Sequence, residues 1–474
     1  MFERNLQEEC GILGFWSNSG VDAAELLYMG LFGIQHRGQQ SAGIAVNDDG
    51  QIVYHKELGL VTEIFNDVVV RHLRGAKAGI AHCGYHKSSE NQRENAQPLV
   101  MRYTKGQMAI SYNGCLLNGH ALRGQLEQAG FMFQSASDAE TIAMLIAQER
   151  VKHKTIENAI VKVMRRLQGS YSFLVMTPHK IVAVRDGHGM KPLCIGQLAD
   201  SYVFASETAS IDTVGGKFLR DVLPGEVVVA DDKGLHSVYT KSGEKSAMCI
   251  FEFVYLARTD SIIDGASVYQ SRYEAGKVLA SECHVDADVV VGVPDSGLPA
   301  ALGFSRASGI PYAEGLIKNR YIGRTFIQPS QQMRETAVGL KLNALRSQVE
   351  GKRIVLVDDS IVRGTTSKKI VQMMKDVGGA REVHVRISSP PVKYPCFYGV
   401  DTPDKNVLIA NRMTLDEIAK VIGADSLGFI SYEGLLRTPV GAKCGFCSAC
   451  FDGNYPLHEI KDGETGKAIE EEER

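Results

Sequence analysis

Apolar residues from Val21 to Gln35 recur at helical spacing and predict one helix. A second is predicted over Ala139–Val151, entered through Ser137-Asp138-Ala-Glu140, a sequence suited to capping a first turn. Around them the apolar segments Gln107–Tyr112, Ser172–Met176 and Glu226–Val229 sit between turn residues and read as strands. Cys10 to about Lys241 is therefore expected to form an α+β layered domain. Tyr239–Ala247, rich in Lys, Ser, Gly and Glu, suits a domain boundary. Beyond it the pattern changes to strands apolar on both faces, Asp288–Val293 and Arg353–Val357, each followed by a loop and a helical segment. That is the pattern of a doubly wound parallel sheet. No internal repeat is evident, and His458–Arg474, charged and aperiodic, is expected to be a solvated tail.

Composition narrows the function classes. The 474 residues are 44% hydrophobic and 23% charged, with a formal net charge of −3, so there is no broad basic surface for nucleic acid or anionic lipid. No apolar run approaches the length needed to span a bilayer, and Met1–Glu9 lacks the apolar stretch of a secretory signal. A cytoplasmic protein is expected. Ten cysteines, three of them in Cys444-Gly-Phe-Cys447-Ser-Ala-Cys450, point in a reducing compartment to metal or catalysis before disulfides.

Three groups of residues carry candidate chemistry. Cys10 follows nine mostly polar residues and opens an apolar run, so removal of that leader would make it the first residue. Its free α-amine would then titrate near neutrality and could serve as the thiol's base; on Cys10 alone, an ordinary start with a buried cysteine is the simpler reading. Arg353-Ile-Val-Leu-Val357 delivers Asp358 and Asp359 at the carboxyl end of a buried strand, ahead of Gly364-Thr365-Thr366-Ser367 where a helix begins. Ligands of open α/β sheets bind at that edge, and a helix N-terminus holds phosphate. The paired acids suit vicinal hydroxyls and a hard cation such as Mg²⁺, and no GxxxxGK is present. Cys447 and Cys450 have a spacing used by both zinc and iron–sulfur sites, which distant Cys249 and Cys396 could complete; spacing does not choose between the metals.

The run VLVDDSIVRGTTS resembles the phosphoribosyltransferase signature, and specifically that of the glutamine phosphoribosylpyrophosphate (PRPP) amidotransferases. The likeness extends over nearly the whole chain. It implies a four-layer αββα N-terminal-nucleophile glutaminase domain over 10–241, after a propeptide 1–9, then an α/β phosphoribosyltransferase domain with a mainly parallel sheet over 249–457. It also implies that Asp358 and Asp359 hold the ribose hydroxyls and one Mg²⁺, and that Gly364, Thr365, Thr366 and Ser367 hold the 5′-phosphate. Val293-Pro-Asp295-Ser296-Gly297 is similar to the pyrophosphate loop, with Ser296 at the metal, and Lys318 to Ile327, including Tyr321, resembles a loop that closes over PRPP.

In the first half, Cys10-Gly-Ile-Leu-Gly, Gln35-His-Arg37-Gly38, Asn113-Gly114 and Ser137-Asp138 resemble the glutaminase motifs. By that likeness Cys10 attacks glutamine and Asn113 with the Gly114 N–H forms the oxyanion hole. Arg37, Gly38, His82, Tyr85 and Asp138 bind glutamine, Asp138 through the α-amine. Taken alone, Asn113-Gly114 would read as a tight turn. Arg185-Asp-Gly-His-Gly-Met-Lys191-Pro-Leu resembles a structural turn of the family. Members with a cleaved leader carry a [4Fe–4S] cluster, and the matching ligands are Cys249, Cys396, Cys447 and Cys450; Cys444 is surplus and the substitute ligand to consider. Cys83, Cys115, Cys194 and Cys283 are expected to be small core residues.

The implied activity converts PRPP, glutamine and water to phosphoribosylamine, glutamate and pyrophosphate in purine synthesis, with ammonia passing internally. A tetramer and feedback by purine nucleotides are implied as well. The rivals are a PRPP-binding regulator without turnover, for which no helix-turn-helix or basic arm is visible, and a silent partner of another synthase. Two positions depart from the family: Gly84 stands where an arginine grips the glutamine α-carboxylate, and Cys115 replaces the second asparagine of NGN. Lys87 or Arg93 could supply the missing cation, but a lysine cannot reproduce a bidentate guanidinium contact, so poor use of glutamine with normal use of ammonia is expected.

Overall fold

The strand Gly11–Trp16 is buried along its whole length, and its side chains divide by the two-residue period of a strand. Ile12 and Trp16 point into a core shared with Ile80, Leu174, Ala183 and Phe204, while Leu13 and Phe15 join Leu27, Leu31 and Ile34 on the other side. Such a strand can only be the middle of a sheet covered on both faces. The structure, a computed structural model, describes residues 10–18, 20–85, 92–240, 245–319, 342–402 and 404–457.

In the first domain a seven-stranded sheet runs Lys217–Asp221, Cys194–Leu198, Ser201–Ala205, Gly11–Trp16, Ala78–Gly84, Ser41–Asp48, Gln51–Leu58 in spatial order. It stacks on a six-stranded sheet ordered Gly234–Thr240, Glu226–Asp231, Lys180–Arg185, Gly169–Thr177, Gly106–Leu116, Leu99–Tyr103. Ala23–Ile34 covers the first sheet, and Asp138–Lys152 with Ile156–Met164 covers the second through Ile142, Leu145, Ile146 and Ile160. The layers are αββα, as the resemblance implied.

The expected helices and strands are present with shifted ends. The two-helix reading was too sparse, because Gly119–Gln128 and Ile156–Met164 are helical too. Ile156–Met164 carries its period openly in Ile156, Ala159, Ile160 and Val163, whereas Gly119–Gln128 buries only Gly119, Leu122 and Leu126. Ser137 caps its helix by accepting from Ala139 N at 3.2 Å, but Glu140 does not return to the cap. Its carboxylate takes the backbone N–H groups of Gln134 and Ser135 instead, at 2.9 and 2.7 Å, and so ties the preceding loop to the helix.

The second domain carries four parallel strands, Val289–Gly292, Arg353–Asp358, Glu382–Ile387 and Ser426–Phe429, in that order. Val290, Val355 and Val357 face Val268–Glu282 and Gly297–Ser308, while Val289, Val291, Ile354 and Leu356 face Thr365–Asp376 and Leu415–Ile422. Helices on both faces explain strands that are apolar throughout. The domains are joined by buried polar contacts, including Arg37 to Glu252 and the Ser170 hydroxyl to the Tyr398 carbonyl at 2.7 Å. Among the described residues no helix is long and apolar enough to cross a membrane.

Candidate functional site

Cys10 stands at the mouth of the central strand, held by main-chain contacts on both sides. Its thiol donates to the Tyr85 carbonyl at 3.6 Å, and its carbonyl accepts from Arg37 Nε at 3.3 Å. Next to it Ile12 N donates to the Ser206 hydroxyl at 3.0 Å. Arg37 is buried, with its guanidinium on Glu207 at 2.6 Å and on both oxygens of Glu252 at 2.6 and 2.9 Å. Gly38 lies flat on the Cys83–Gly84 backbone, where a Cβ would stand 2.6 Å from main-chain atoms.

Asn113 and Gly114 lie within the strand Gly106–Leu116 and not in the turn that the pair alone suggests. Gly114 has φ +155°, and a Cβ there would come within 2.1 Å of the Ser170 carbonyl, so only glycine fits. Asn113 is 1% exposed, and its Nδ2 is buried with no hydrogen-bond partner among the described residues. An unsatisfied buried donor costs about 1–3 kcal/mol, a cost that an incoming anionic oxygen would remove.

Asp138, first residue of its helix, accepts from Leu116 N at 2.8 Å and from the Tyr112 hydroxyl at 3.4 Å. The Tyr112 phenol is pushed well above its ordinary value by burial first, then by Asp138, Cys115 and Cys10, which places these groups round one spot. His82 is buried and contacts the Tyr112 carbonyl at 3.2 Å. Tyr112 was not among the expected site residues. Nor were Gln97, which accepts from Tyr112 N at 2.8 Å, and Asn95, which accepts from Ala136 N at 2.9 Å. The Glu94-Asn95-Ala-Gln97-Pro98 run thus pins both segments that carry Asn113 and Asp138, which is the signal that could have found them.

Gly84 ends its strand opposite Ser41 and offers no side chain to the pocket. Of the two cations considered as replacements, Arg93 pairs with Glu57 at 2.9 Å, and Lys87 lies outside the described residues. So do the leader 1–9, Tyr321 and the tail 458–474.

In the second domain, the pairing of Gly292 with Val357 brings the Asp295–Gly297 loop and the Asp358–Asp359 pair to the same sheet edge. The Ser296 hydroxyl donates to Asp359, and Ser360 donates to its other oxygen at 2.6 Å. Burial raises the Asp358 carboxyl well above the ordinary carboxylate range, and neighbouring Asp359 raises it further. Burial also raises Asp359, against the pull of the Ser296 and Ser360 hydroxyls and of Arg272. Two acids that resist ionising together are what a divalent cation would stabilise in charged form, and the donors are hard oxygens, so the residues fit Mg²⁺. Gly364, at φ +80°, turns the chain into Thr365–Asp376, aiming the first N–H groups of that helix at the same edge. Lys318 pairs with Asp295.

Cys249 and Cys447 are register partners in a short parallel pairing of Met248–Cys249 with Phe446–Cys447. Cys249, Cys396, Cys447 and Cys450 line one cavity with Phe251, Tyr398 and Tyr455. Burial pushes the Cys447 thiol up to about 12, opposed by a backbone N–H from Ala449 and reinforced by Cys396. Burial likewise lifts Cys450 well above the thiol range, helped by Cys396 and Cys447. Among the described residues no group of three or more His, Cys, Asp or Glu side chains is gathered closely enough to hold a metal ion. A cubane cluster takes each thiolate on a different iron, so four soft donors round an apolar cavity fit it without converging on one point. Cys444 is not part of that lining: burial and then Asp264, to which it donates, push its thiol up to about 12. Its contact with Asp264, away from that lining, lends the substitute-ligand expectation for Cys444 no support. Cys83 and Cys194 are buried, donating to Ile34 O at 3.1 Å and Ala205 O at 3.2 Å, while Cys115 and Cys283 are only half-buried.

Comparison with known proteins agrees with both halves. Residues 86–213 match a glutamine amidotransferase domain family, and residues 267–411 a phosphoribosyl transferase domain family. An amidophosphoribosyltransferase of Archaeoglobus fulgidus is 48% identical, over 94% of this chain and 98% of its own length. One of Bacillus subtilis is 46% identical, over 97% of this chain and 96% of its own. A solved structure of the B. subtilis glutamine PRPP amidotransferase complexed with ADP and GMP superimposes with a TM-score of 0.88 at 45% identity, over 97% of this chain and all of the other.

Proposed function

The chain belongs to the amidophosphoribosyltransferase family, and from that premise we propose how its residues divide the reaction. The enzyme makes 5-phosphoribosylamine from PRPP, glutamine and water, releasing glutamate and pyrophosphate in purine biosynthesis. A regulator without turnover has no observation in its favour.

At the first site the Cys10 sulfur adds to the glutamine side-chain carbonyl, the C–N bond breaks, and water cleaves the resulting thioester. Once the leader is removed, the Cys10 amine takes the thiol proton and hands it to departing ammonia. Asn113 Nδ2 and the Gly114 N–H hold the oxyanion, Asp138 receives the α-amine, and Arg37, Gly38, His82 and Tyr85 border the pocket. At the second site Asp358 and Asp359 orient the ribose, and Gly364, Thr365, Thr366 and Ser367 take the 5′-phosphate. Asp295, Ser296, Gly297 and Lys318 are assigned to the pyrophosphate side, and Tyr321, outside the described residues, to PRPP by the resemblance alone. Ser296, Asp358 and Asp359 would hold one Mg²⁺ per subunit, which would supply positive charge toward that leaving group. Ammonia forms its bond to the ribose carbon as the pyrophosphate oxygen departs.

Internal passage of ammonia is supported by the closeness of the two halves. Tyr85 donates to Asp401 at 3.2 Å, and Gly399 packs against Gly114, where a Cβ would stand 3.5 Å from the Gly114 carbonyl carbon. A [4Fe–4S] cluster, one per subunit on Cys249, Cys396, Cys447 and Cys450, would tie the end of the chain to the start of the second domain. A cleaved leader, a cytoplasmic homo-tetramer and purine-nucleotide feedback complete the reading; the feedback is supported by the ADP and GMP of the B. subtilis complex. Gly84 and the engagement of Arg93 by Glu57 support weak glutamine binding with normal use of ammonia.

The observation that carries the glutamine half is the buried Asn113 Nδ2, which has no hydrogen-bond partner among the described residues. Asn113→Ala is expected to lower glutamine-driven turnover by roughly 100–1000-fold, the usual loss for one oxyanion donor, and to spare ammonia-driven synthesis. Glutamine turnover that survives the substitution would remove Asn113 from the mechanism.

A further inference from the structure

Arg37 sits behind the nucleophile with more negative charge around it than it needs to balance its own. Glu207, at the end of the strand Ser201–Ala205, already has a full set of donors: His36 Nε2 at 2.7 Å, Arg37 Nη1 at 2.6 Å, Arg258 N at 2.8 Å and the Ser261 hydroxyl at 2.7 Å. Burial alone would raise the Glu207 carboxyl, but His36 and Arg37 hold it far below its ordinary value, so it is ionised. Glu252 is wholly buried and comes from the second domain, three residues after Cys249. Both of its oxygens bond Arg37, Oε1 to Nη2 at 2.6 Å and Oε2 to Nη1 at 2.9 Å. It opens a π-helical turn, Glu252–Leu256, a rare form frequently seen at functional sites. Buried Arg272 holds that turn through the Phe253 and Ala257 carbonyls at 2.9 and 2.8 Å.

Resting on the assignment of Cys10 as nucleophile, we propose that Glu252 is a positioning residue of the glutamine site. With Glu207 it clamps Arg37, whose remaining edge, Nε, fixes the Cys10 carbonyl, so the second domain sets the orientation of the nucleophile in the first. Arg37 is then spent on two carboxylates and a main-chain oxygen, which makes it the anchor of Cys10 and not the cation that grips a glutamine α-carboxylate. A carboxylate pair on one guanidinium suits this, because its planar fork keeps a fixed direction that a lysine could not. Loosening the clamp leaves the glutamine pocket's walls in place and lets the Cys10 main chain drift.

The test is Glu252→Gln in the full-length enzyme, with Glu252→Asp as the charge-keeping variant and Cys10→Ala as control. Glutamine kcat is expected to fall by roughly 100-fold, the scale of an ångström-sized misplacement, with glutamine KM unchanged. Alkylation of Cys10 by iodoacetamide should slow as well, and Glu252→Asp should recover part of both losses. Ammonia-driven synthesis, which uses only the other site, reports the integrity of the fold. A rise in KM at constant kcat would make Arg37 a glutamine ligand and overturn the proposal. An unchanged kcat, or a parallel fall of both activities, overturns it too. If Cys10→Ala itself keeps glutamine-driven synthesis, the underlying assignment fails first.

Discussion

The proposed PRPP site takes its two acids from consecutive positions, Asp358 and Asp359, at the end of one parallel strand. The proposed glutamine site takes Cys10, Asn113 and Asp138 from the start of one strand, the middle of another and the first turn of a helix, and on the inference above borrows Glu252 from the neighbouring domain. The two also store their chemistry differently. Burial raises both acids of the first, and Asp359 raises Asp358 further. The second presents a neutral donor, Asn113 Nδ2, buried and without a hydrogen-bond partner among the described residues. A parallel sheet collects ligand-binding groups at one edge by its construction, whereas an antiparallel sandwich must pin each group separately. In the proposed second site Asn95, Gln97, Glu207 and Glu252 would be such separate supports.

This contrast can be broken at either side. The largest effect is expected from Asp358→Asn combined with Asp359→Asn, which should abolish pyrophosphate release with either nitrogen source and leave the fold intact, since the pair sits at a loop edge. Near-normal release with ammonia would refute the assignment of the edge. Next come Cys447→Ser or Cys450→Ser, expected to give iron-free or insoluble protein. The unmodified chain should carry about four irons, the [4Fe–4S] stoichiometry, and stoichiometric zinc without iron in anaerobic preparations would overturn the cluster reading.

A smaller effect sharpens the difference between the sites. Losing one partner of a buried charge pair costs roughly 2–5 kcal/mol, and about 1.4 kcal/mol is tenfold, so Gly84 should weaken glutamine binding by ~30-fold or more. Gly84→Arg should lower the glutamine KM correspondingly and leave ammonia kinetics alone. A KM already low and indifferent to the substitution would show that another residue holds the carboxylate.

The same contrast explains what could be read in the sequence. Asp358, Asp359 and Gly364–Ser367 were legible because strand, acids and helix start are contiguous, and the αββα and parallel-sheet layers followed from burial patterns and resemblance. The partners of Arg37 were not, since Glu207 and Glu252 lie 170 and 215 residues away. Asn113-Gly114 reads locally as a turn and is held in a strand by pairing with Ser172 and Tyr171. Gly119–Gln128 was missed because its apolar face is two leucines wide, and Cys444 was placed near the cluster by spacing although its thiol turns to Asp264. In each case the deciding contact is distant in the chain.

The central claim is that two separable sites share one reaction through ammonia. It is tested most directly by pyrophosphate release from Cys10→Ser, measured with glutamine and then with ammonia. A thiolate is far more nucleophilic than an alcohol near neutral pH, so glutamine-driven release should vanish while ammonia-driven release stays at the level of the unmodified enzyme. Retained glutamine-driven release, or loss of both, would contradict the account.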